Sequence, residues 1–132
     1  MPRASSATAH ELSRVSLLAG LPGQTLAKLA ARMEREEVPP GRAIVEEGGQ
    51  DSRFYVVLSG MLTVDQSSRG ARRVLRPGDY FGEVAAALDV PRTASVRTLT
   101  PATVASCDRE TFDEFVRPLF ADADESSTPN PK

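Results

Sequence analysis

Apolar residues along this chain change their spacing twice. Over 11–18 and again over 24–33 they recur at helical intervals, and Leu26, Leu29, Ala30 and Met33 form one stripe. Leu17, Leu18 and Leu21 crowd the join between the two expected helices, and Pro22 suits the first turn of the second. Pro39-Pro40-Gly41 ends this region, because neither proline continues a helix. Short runs rich in Val, Ile, Thr, Tyr and Phe then follow at 43–46, 54–59, 62–65, 73–75, 80–81, 94–99 and 103–107. Turn clusters at Gly48-Gly49, Ser59-Gly60, 66–70, Pro77-Gly78 and Thr100-Pro101 separate them, which predicts a closed or sandwiched antiparallel β unit. Between two of these strands, 82–88 reads as a short inserted helix. Asp108 caps a last helix over 108–116 that presents Phe112, Phe115 and Val116 and ends before Pro118. Residues 1–9 offer nothing to bury and are expected to be a disordered lead, and 121–132 an acidic, Ser/Pro-rich disordered tail. Residues 10–120 are left as a single domain.

Composition narrows the chemistry. The 132 residues carry 16 Lys+Arg against 18 Asp+Glu, a net charge of −2, so no basic excess favours nucleic acid or anionic lipid. One cysteine, Cys107, and one histidine, His10, exclude an intrachain disulfide and a Cys/His zinc cluster. Cys107, near a strand end, reads as a small buried hydrophobe rather than a reactive thiol. No apolar run reaches the roughly 18 residues of a membrane span, and the first ten residues lack a signal-peptide profile, so a cytoplasmic location is expected.

The segment 78–96 asks for a functional explanation, since a helix wedged between strands of a β unit is topologically costly. Gly82 leaves the helix start without a side chain, so backbone amides there can face an anion that the helix dipole also favours. Arg92, after Pro91, could reach the same anion with its guanidinium fork. Glu83 could accept hydrogen bonds from a sugar hydroxyl. Phosphate plus ribose in one pocket means a nucleotide. A structural alternative stands beside this: Arg92 bridging Asp89 or Asp79, and Glu83 merely complementing a helix N-terminus. Arg72, Arg73 and Arg76 form a local basic patch beside a hairpin loop and read as solvated surface. Asp122, Asp124 and Glu125 lack the loop glycine and closing ligand of a calcium site.

Phe81-Gly82-Glu83-Val84-Ala85 followed by Pro91-Arg92-Thr93-Ala94-Ser95-Val96 resembles the phosphate-binding cassette of the cyclic nucleotide-binding domain family, with matching spacing from glutamate to arginine. Upstream, Pro40-Gly41, Ile44, Glu47-Gly48, Phe54-Tyr55-Val56-Val57, Ser59-Gly60, Leu62 and Gly78-Asp79 fall where that family carries its β-roll signature. Leu17-Leu18-Ala19-Gly20-Leu21 is similar to its leading helices. The likeness covers 12–116. It implies a mainly β fold with flanking helices: an antiparallel β-roll or jelly-roll barrel with N-terminal helices, the inserted cassette helix and a C-terminal helix.

It further implies that Arg92 pairs with the cyclic phosphate and that Glu83 accepts from the ribose 2′-hydroxyl. Gly82, Ala85 and Thr93 would offer backbone amides, and Val84 and Ala94 complete the set of ligand-binding positions. Thr93 supplies the hydroxyl that cGMP-preferring members use, although cAMP-binding members carry Thr or Ser there too. The expected function is a noncatalytic sensor of cAMP, or else cGMP, which is a ligand and not a cofactor. No nucleophile pairs with a base away from His10, so no enzyme is expected. Members of the family fold a long helix over the base; here 108–116 is followed by Pro118, Leu119 and Phe120, and the lid is expected to be missing or shortened. The alternative is an interaction module that keeps the fold without responding to nucleotide. Under either reading, a second copy or an effector protein would dock on the last helix.

Overall fold

The computed structural model describes residues 5–66 and 71–120. Among these residues nine strands form two antiparallel sheets, and helical segments occur at three places along the chain. The first sheet runs in the order β1 (Ser5–Ser6), β2 (Glu34–Val38), β9 (Ala102–Cys107), β4 (Phe54–Ser59), β7 (Tyr80–Phe81). The second runs β3 (Ala43–Val45), β8 (Ser95–Thr98), β5 (Leu62–Gln66), β6 (Ala71–Leu75). The β-roll expected from the sequence is the architecture found.

Alternation along β4 builds two cores at once. Tyr55 and Val57 point into the space between the sheets, with Val104, Leu62, Leu75, Phe81 and Val96. Phe54 and Val56 point the other way, with Ala105 and Cys107, toward the helices. Strands β4 and β9 are therefore buried on both faces, which is why FYVV and ATVASC show no polar alternation. Val38, the one buried residue of β2, joins the inter-sheet core, while Glu34, Glu36 and Glu37 remain exposed. That polarity hid β2 from sequence reading. Its place comes from five residues in register with β9, from Glu34 opposite Ser106 to Val38 opposite Ala102.

The helical regions need three corrections. Of 11–18 only the start is α-helix, α1 (Ala9–Leu12); beyond it Val15, Leu18 and Leu21 each donate to the carbonyl three residues back, so a chain of tight turns continues to 21. The second helix, α2, covers Gly23–Ala31, with Pro22 just outside it as the cap. The expected disordered lead is structured from Ser5 onward. Ser5 and Ser6 pair with Arg35 and Glu34, Ala7 is buried, and Thr8 caps α1 in a reciprocal box with Glu11. Residues 1–4 and the expected tail 121–132 lie outside the described residues.

At the other end, Asp108 caps α4 (Arg109–Thr111), accepting at 2.9 Å from the Thr111 N–H. The helix does not stop before Pro118. A π turn over Phe112–Val116 follows α4, and helical geometry resumes to residue 120. The Arg117 N–H reaches back five residues to Phe112, and this widened turn eases the proline ring past the preceding backbone. Phe112 and Val116 are spent in the helix-side core, and Leu119 and Phe120 pack against it. Phe120 lies 5.6 Å from Tyr80 and 6.2 Å from Phe112, ring to ring. The last helix therefore uses its apolar face internally, which corrects the expectation that this face is the docking surface.

Two outcomes follow from this packing. The Asp108 carboxyl is held below its ordinary value chiefly by the Thr111 backbone N–H. Asp108→Ala should cost about 0.5–2 kcal/mol near neutrality, the usual worth of a cap. A carboxylate lowered in the native state stabilises fully above its unfolded value and loses that contribution as pH falls through the native one, so the wild-type advantage in urea denaturation should close in acid. A gap that persists in acid would remove the ionic part of the cap. Burial pushes the Cys107 thiol up to about 12, so a thiol reagent at neutral pH should modify it only as fast as the domain opens.

Candidate nucleotide site

Strand β7 is followed by Gly82, whose φ of 90° and ψ of 4° turn the chain into α3 (Glu83–Leu88). A Cβ there would stand 2.7 Å from the Arg53 carbonyl oxygen and 2.8 Å from Arg92 Nη1. Both the left-handed conformation and the close approach demand glycine. Helix α3 closes early, with Ala86 donating to Gly82 and Asp89 to Ala85, and its first amides have no carbonyl behind them. Asp89, at φ 56°, ends it.

Arg92 is fixed from both sides. Its N–H donates to the Gly49 carbonyl at 2.8 Å, and its carbonyl accepts from the Gly48 N–H at 2.9 Å. The side chain dives inward until the residue is 5% exposed. There Nη2 donates to the Arg53 carbonyl at 2.8 Å and meets Asp51 Oδ2 at 3.1 Å. The guanidinium lies 5.8 Å from the centre of the Tyr55 ring, which itself stacks on Phe81 at 4.7 Å and 2°. Arg92 Nε and Nη1 are buried without a hydrogen-bond partner among the described residues. Two unmet donors on a buried cation are costly, and an anion in front of them would meet the cost.

All seven positions picked from the sequence, Gly82, Glu83, Val84, Ala85, Arg92, Thr93 and Ala94, line one cavity of about 100 Å³. Val45, Val64, Phe81 and Val96 add an apolar wall, and Arg73 completes the lining. Glu83 and Arg73 both act on the neighbouring Tyr80 hydroxyl, whose pKa is raised first by burial and then by Glu83, with Arg73 opposing. The site thus joins a phosphate-type cradle, one carboxylate, one further guanidinium and an apolar surface.

Sequence reading missed several of these groups. Asp51, not Asp89 or Asp79, is the carboxylate that meets Arg92. Asp89 instead pairs with Arg109 at 3.2 Å, and Asp79 accepts from the Arg76 N–H at 2.8 Å. Arg73 is solvent-exposed, as the sequence suggests, but it also lines the cavity, because β6 sets it opposite Val64, another lining residue. Only the register of folded strands carries that information.

A family model described as cyclic nucleotide-binding domain matches residues 35–118. The chain belongs to this family. The domain is 37% identical over 107 residues to the cAMP-dependent protein kinase regulatory subunit of Debaryomyces hansenii, covering 81% of this chain and 24% of that protein. It is 33% identical over 114 residues to the cGMP-dependent protein kinase egl-4 of Caenorhabditis briggsae, covering 82% of this chain and 15% of that one. Among solved structures, the regulatory domain of Toxoplasma gondii PKA crystallised with cAMP superposes with a TM-score of 0.79 at 25% identity, over 90% of this chain and 48% of that one. The chain spans about a quarter of the length of the regulatory subunits it matches.

The cyclic nucleotide-binding domain built here tolerates nothing larger at Gly82. Gly82→Ala should lower unfolding stability by about 1–3 kcal/mol, the scale of enforced strain. Gly82→Asn, a residue that accepts left-handed geometry, should fare no better, since its Cβ meets the same two atoms. Recovery of wild-type stability by Asn in chemical denaturation would mean that conformation, not contact with Arg53 and Arg92, is what the position requires.

Proposed function

We propose that this domain is a noncatalytic sensor that binds cAMP, with cGMP second, in the cavity between α3 and Arg92. The observation that carries the reading is the pair of unmet donors on buried Arg92, set beside the free amides that begin α3. Arg92 takes the cyclic phosphate, helped by amides of Gly82, Ala85 and Thr93. Glu83 accepts from the ribose 2′-hydroxyl, while Val84 and Ala94 bound the pocket. The ligand is reversibly bound and no cofactor or metal takes part. The names of the relatives, regulatory subunits of a cAMP-dependent kinase, support a regulatory role.

Partners follow from the same reading: an effector of the kinase class, or a second copy, and neither nucleic acid nor membrane. Among the described residues no helix is long and apolar enough to cross a membrane, and a cytoplasmic location belongs to the proposal. Binding signals only if the ligand prefers one placement of α3 and of what α3 touches. One such contact is with the last helix: Arg117 Nη2 donates to the Ala87 carbonyl at 2.8 Å, and Arg109 pairs with Asp89. The second reading, an interaction module without nucleotide response, draws on Leu88, 65% exposed on α3 beside half-exposed Val84. A partner would meet that ridge.

Calorimetric titration of denatured, stripped and refolded protein with cAMP and cGMP separates the two. Saturable binding accompanied by a rise in Tm supports the sensor, by mass action. Absence of both heat and Tm shift, in protein shown to be refolded, supports the module. Arg92→Ala should weaken binding at least about tenfold, since charged hydrogen bonds contribute about 1.5–3 kcal/mol each. Glu83→Ala should abolish the preference for the ribose ligand over its 2′-deoxy analogue. Equal losses for the two ligands would count against its assigned role.

A further inference from the structure

We infer that Arg53, which does not line the cavity, is the positioning residue that aims Arg92 at its anion; the ligand consequence rests on the sensor reading, the aiming itself does not. Among the described residues, one nitrogen of the Arg92 guanidinium has partners, Nη2, and both of those partners come from the same short segment before β4. They are the Arg53 carbonyl at 2.8 Å and Asp51 Oδ2 at 3.1 Å. The orientation of the buried guanidinium therefore depends on where residues 51–53 sit.

Those residues belong to no helix or strand, so their own placement needs a fastening. The Arg53 side chain supplies it. Its Nε donates to Ser106 Oγ at 3.1 Å, its Nη2 donates to the Ser106 carbonyl at 3.3 Å, and Nη2 also lies 3.5 Å from Glu34 Oε1. Ser106 is in β9 and Glu34 in β2, opposite each other in register. Arg53 also fixes Asp51, whose Oδ1 accepts from the Arg53 N–H at 2.8 Å, leaving Oδ2 for Arg92. One residue thus spans from the sheet to both acceptors of the buried cation. Its carbonyl is also the atom that excludes a Cβ at Gly82.

The planar fork matters here. A lysine has its three donors on one nitrogen, so it could not set one nitrogen on the Ser106 hydroxyl and another between the Ser106 carbonyl and Glu34, as the rigid fork does. Arg53→Lys should recover little of the function, and Ser106→Ala, which removes the Nε acceptor without touching charge, should show a milder form of the same defect.

The test has a readout that needs no nucleotide. In free protein labelled with ¹⁵N-arginine, the Arg92 signals, assigned by their loss in Arg92→Lys, should report a guanidinium with restricted rotation about Cζ–Nη. Arg53→Ala should release that restriction, with Ser106→Ala as the variant to use if the first does not fold. In cAMP titrations Arg53→Ala should weaken binding roughly tenfold, as expected for lost charged hydrogen bonds, and should add nothing in the Arg92→Ala background. Arg92 signals unchanged by both variants would overturn the inference, as would additive losses in the double variant. If wild type binds no cyclic nucleotide while the Arg92 signals still respond to Arg53→Ala, the aiming role stands and the sensor reading falls.

Discussion

Burial of the Arg92 guanidinium is the constraint around which this domain is arranged. A cation removed from water must be repaid by acceptors, and one carboxylate with one carbonyl covers only part of its five N–H donors. The stacked pair Tyr55 and Phe81 provides a face for it, Gly82 makes room for Nη1, and Gly48-Gly49 hold its backbone. These groups come from three separate stretches of chain, 48–49, 55 and 81–82. Unmet donors on the remaining nitrogens then act as a standing demand for an anion. Stability and affinity are linked at this residue: what the fold leaves incomplete is what a ligand can complete.

Such a group needs a stiff base, and the two central strands provide it. Because β4 and β9 are covered on both faces, the residues flanking them have little freedom to drift. Tyr55 faces the inter-sheet core and touches the site, while its neighbour Phe54 faces the helices and packs against Phe112 at 5.2 Å. Adjacent residues of one strand thus serve the pocket and the last helix. The same alternation that divides the core in two sets the supports of the pocket and of the last helix one residue apart on β4.

How much of this was legible before folding depended on distance along the chain. The cassette residues Gly82 to Ala94 lie within 13 positions, so their chemistry could be read together, and all seven meet in one cavity. Asp51 and Arg53 are 41 and 39 positions from Arg92, and nothing in composition links them to it. Strand β2 was hidden because Glu34, Glu36 and Glu37 face solvent, so its single buried residue, Val38, makes no pattern. Strand β1 is two serines, which carry no strand signal; pairing with β2 and burial of Ala7 place them. At Pro118 a sound rule gave the wrong boundary, since the π turn before it removes the clash on which the rule rests.

Helix α3 joins the two halves of the argument. Its six residues span only about 9 Å at the helical rise, too short to bend, so its ends move together. The first end contributes Glu83, Val84 and Ala85 to the cavity; the other is tied to the last helix through the Ala87 carbonyl and Asp89, with Ala86 fully buried in the core that holds Phe112 and Val116. An anion drawn against the first amides therefore cannot reposition them without loading the contacts to Arg109 and Arg117. Those contacts are polar and half-exposed, where alternative partners in water make rearrangement inexpensive, whereas Ala86 is held in close packing. Motion of α3 is thus expected as a pivot about Ala86 rather than a translation, with the last helix following at its Arg117 end.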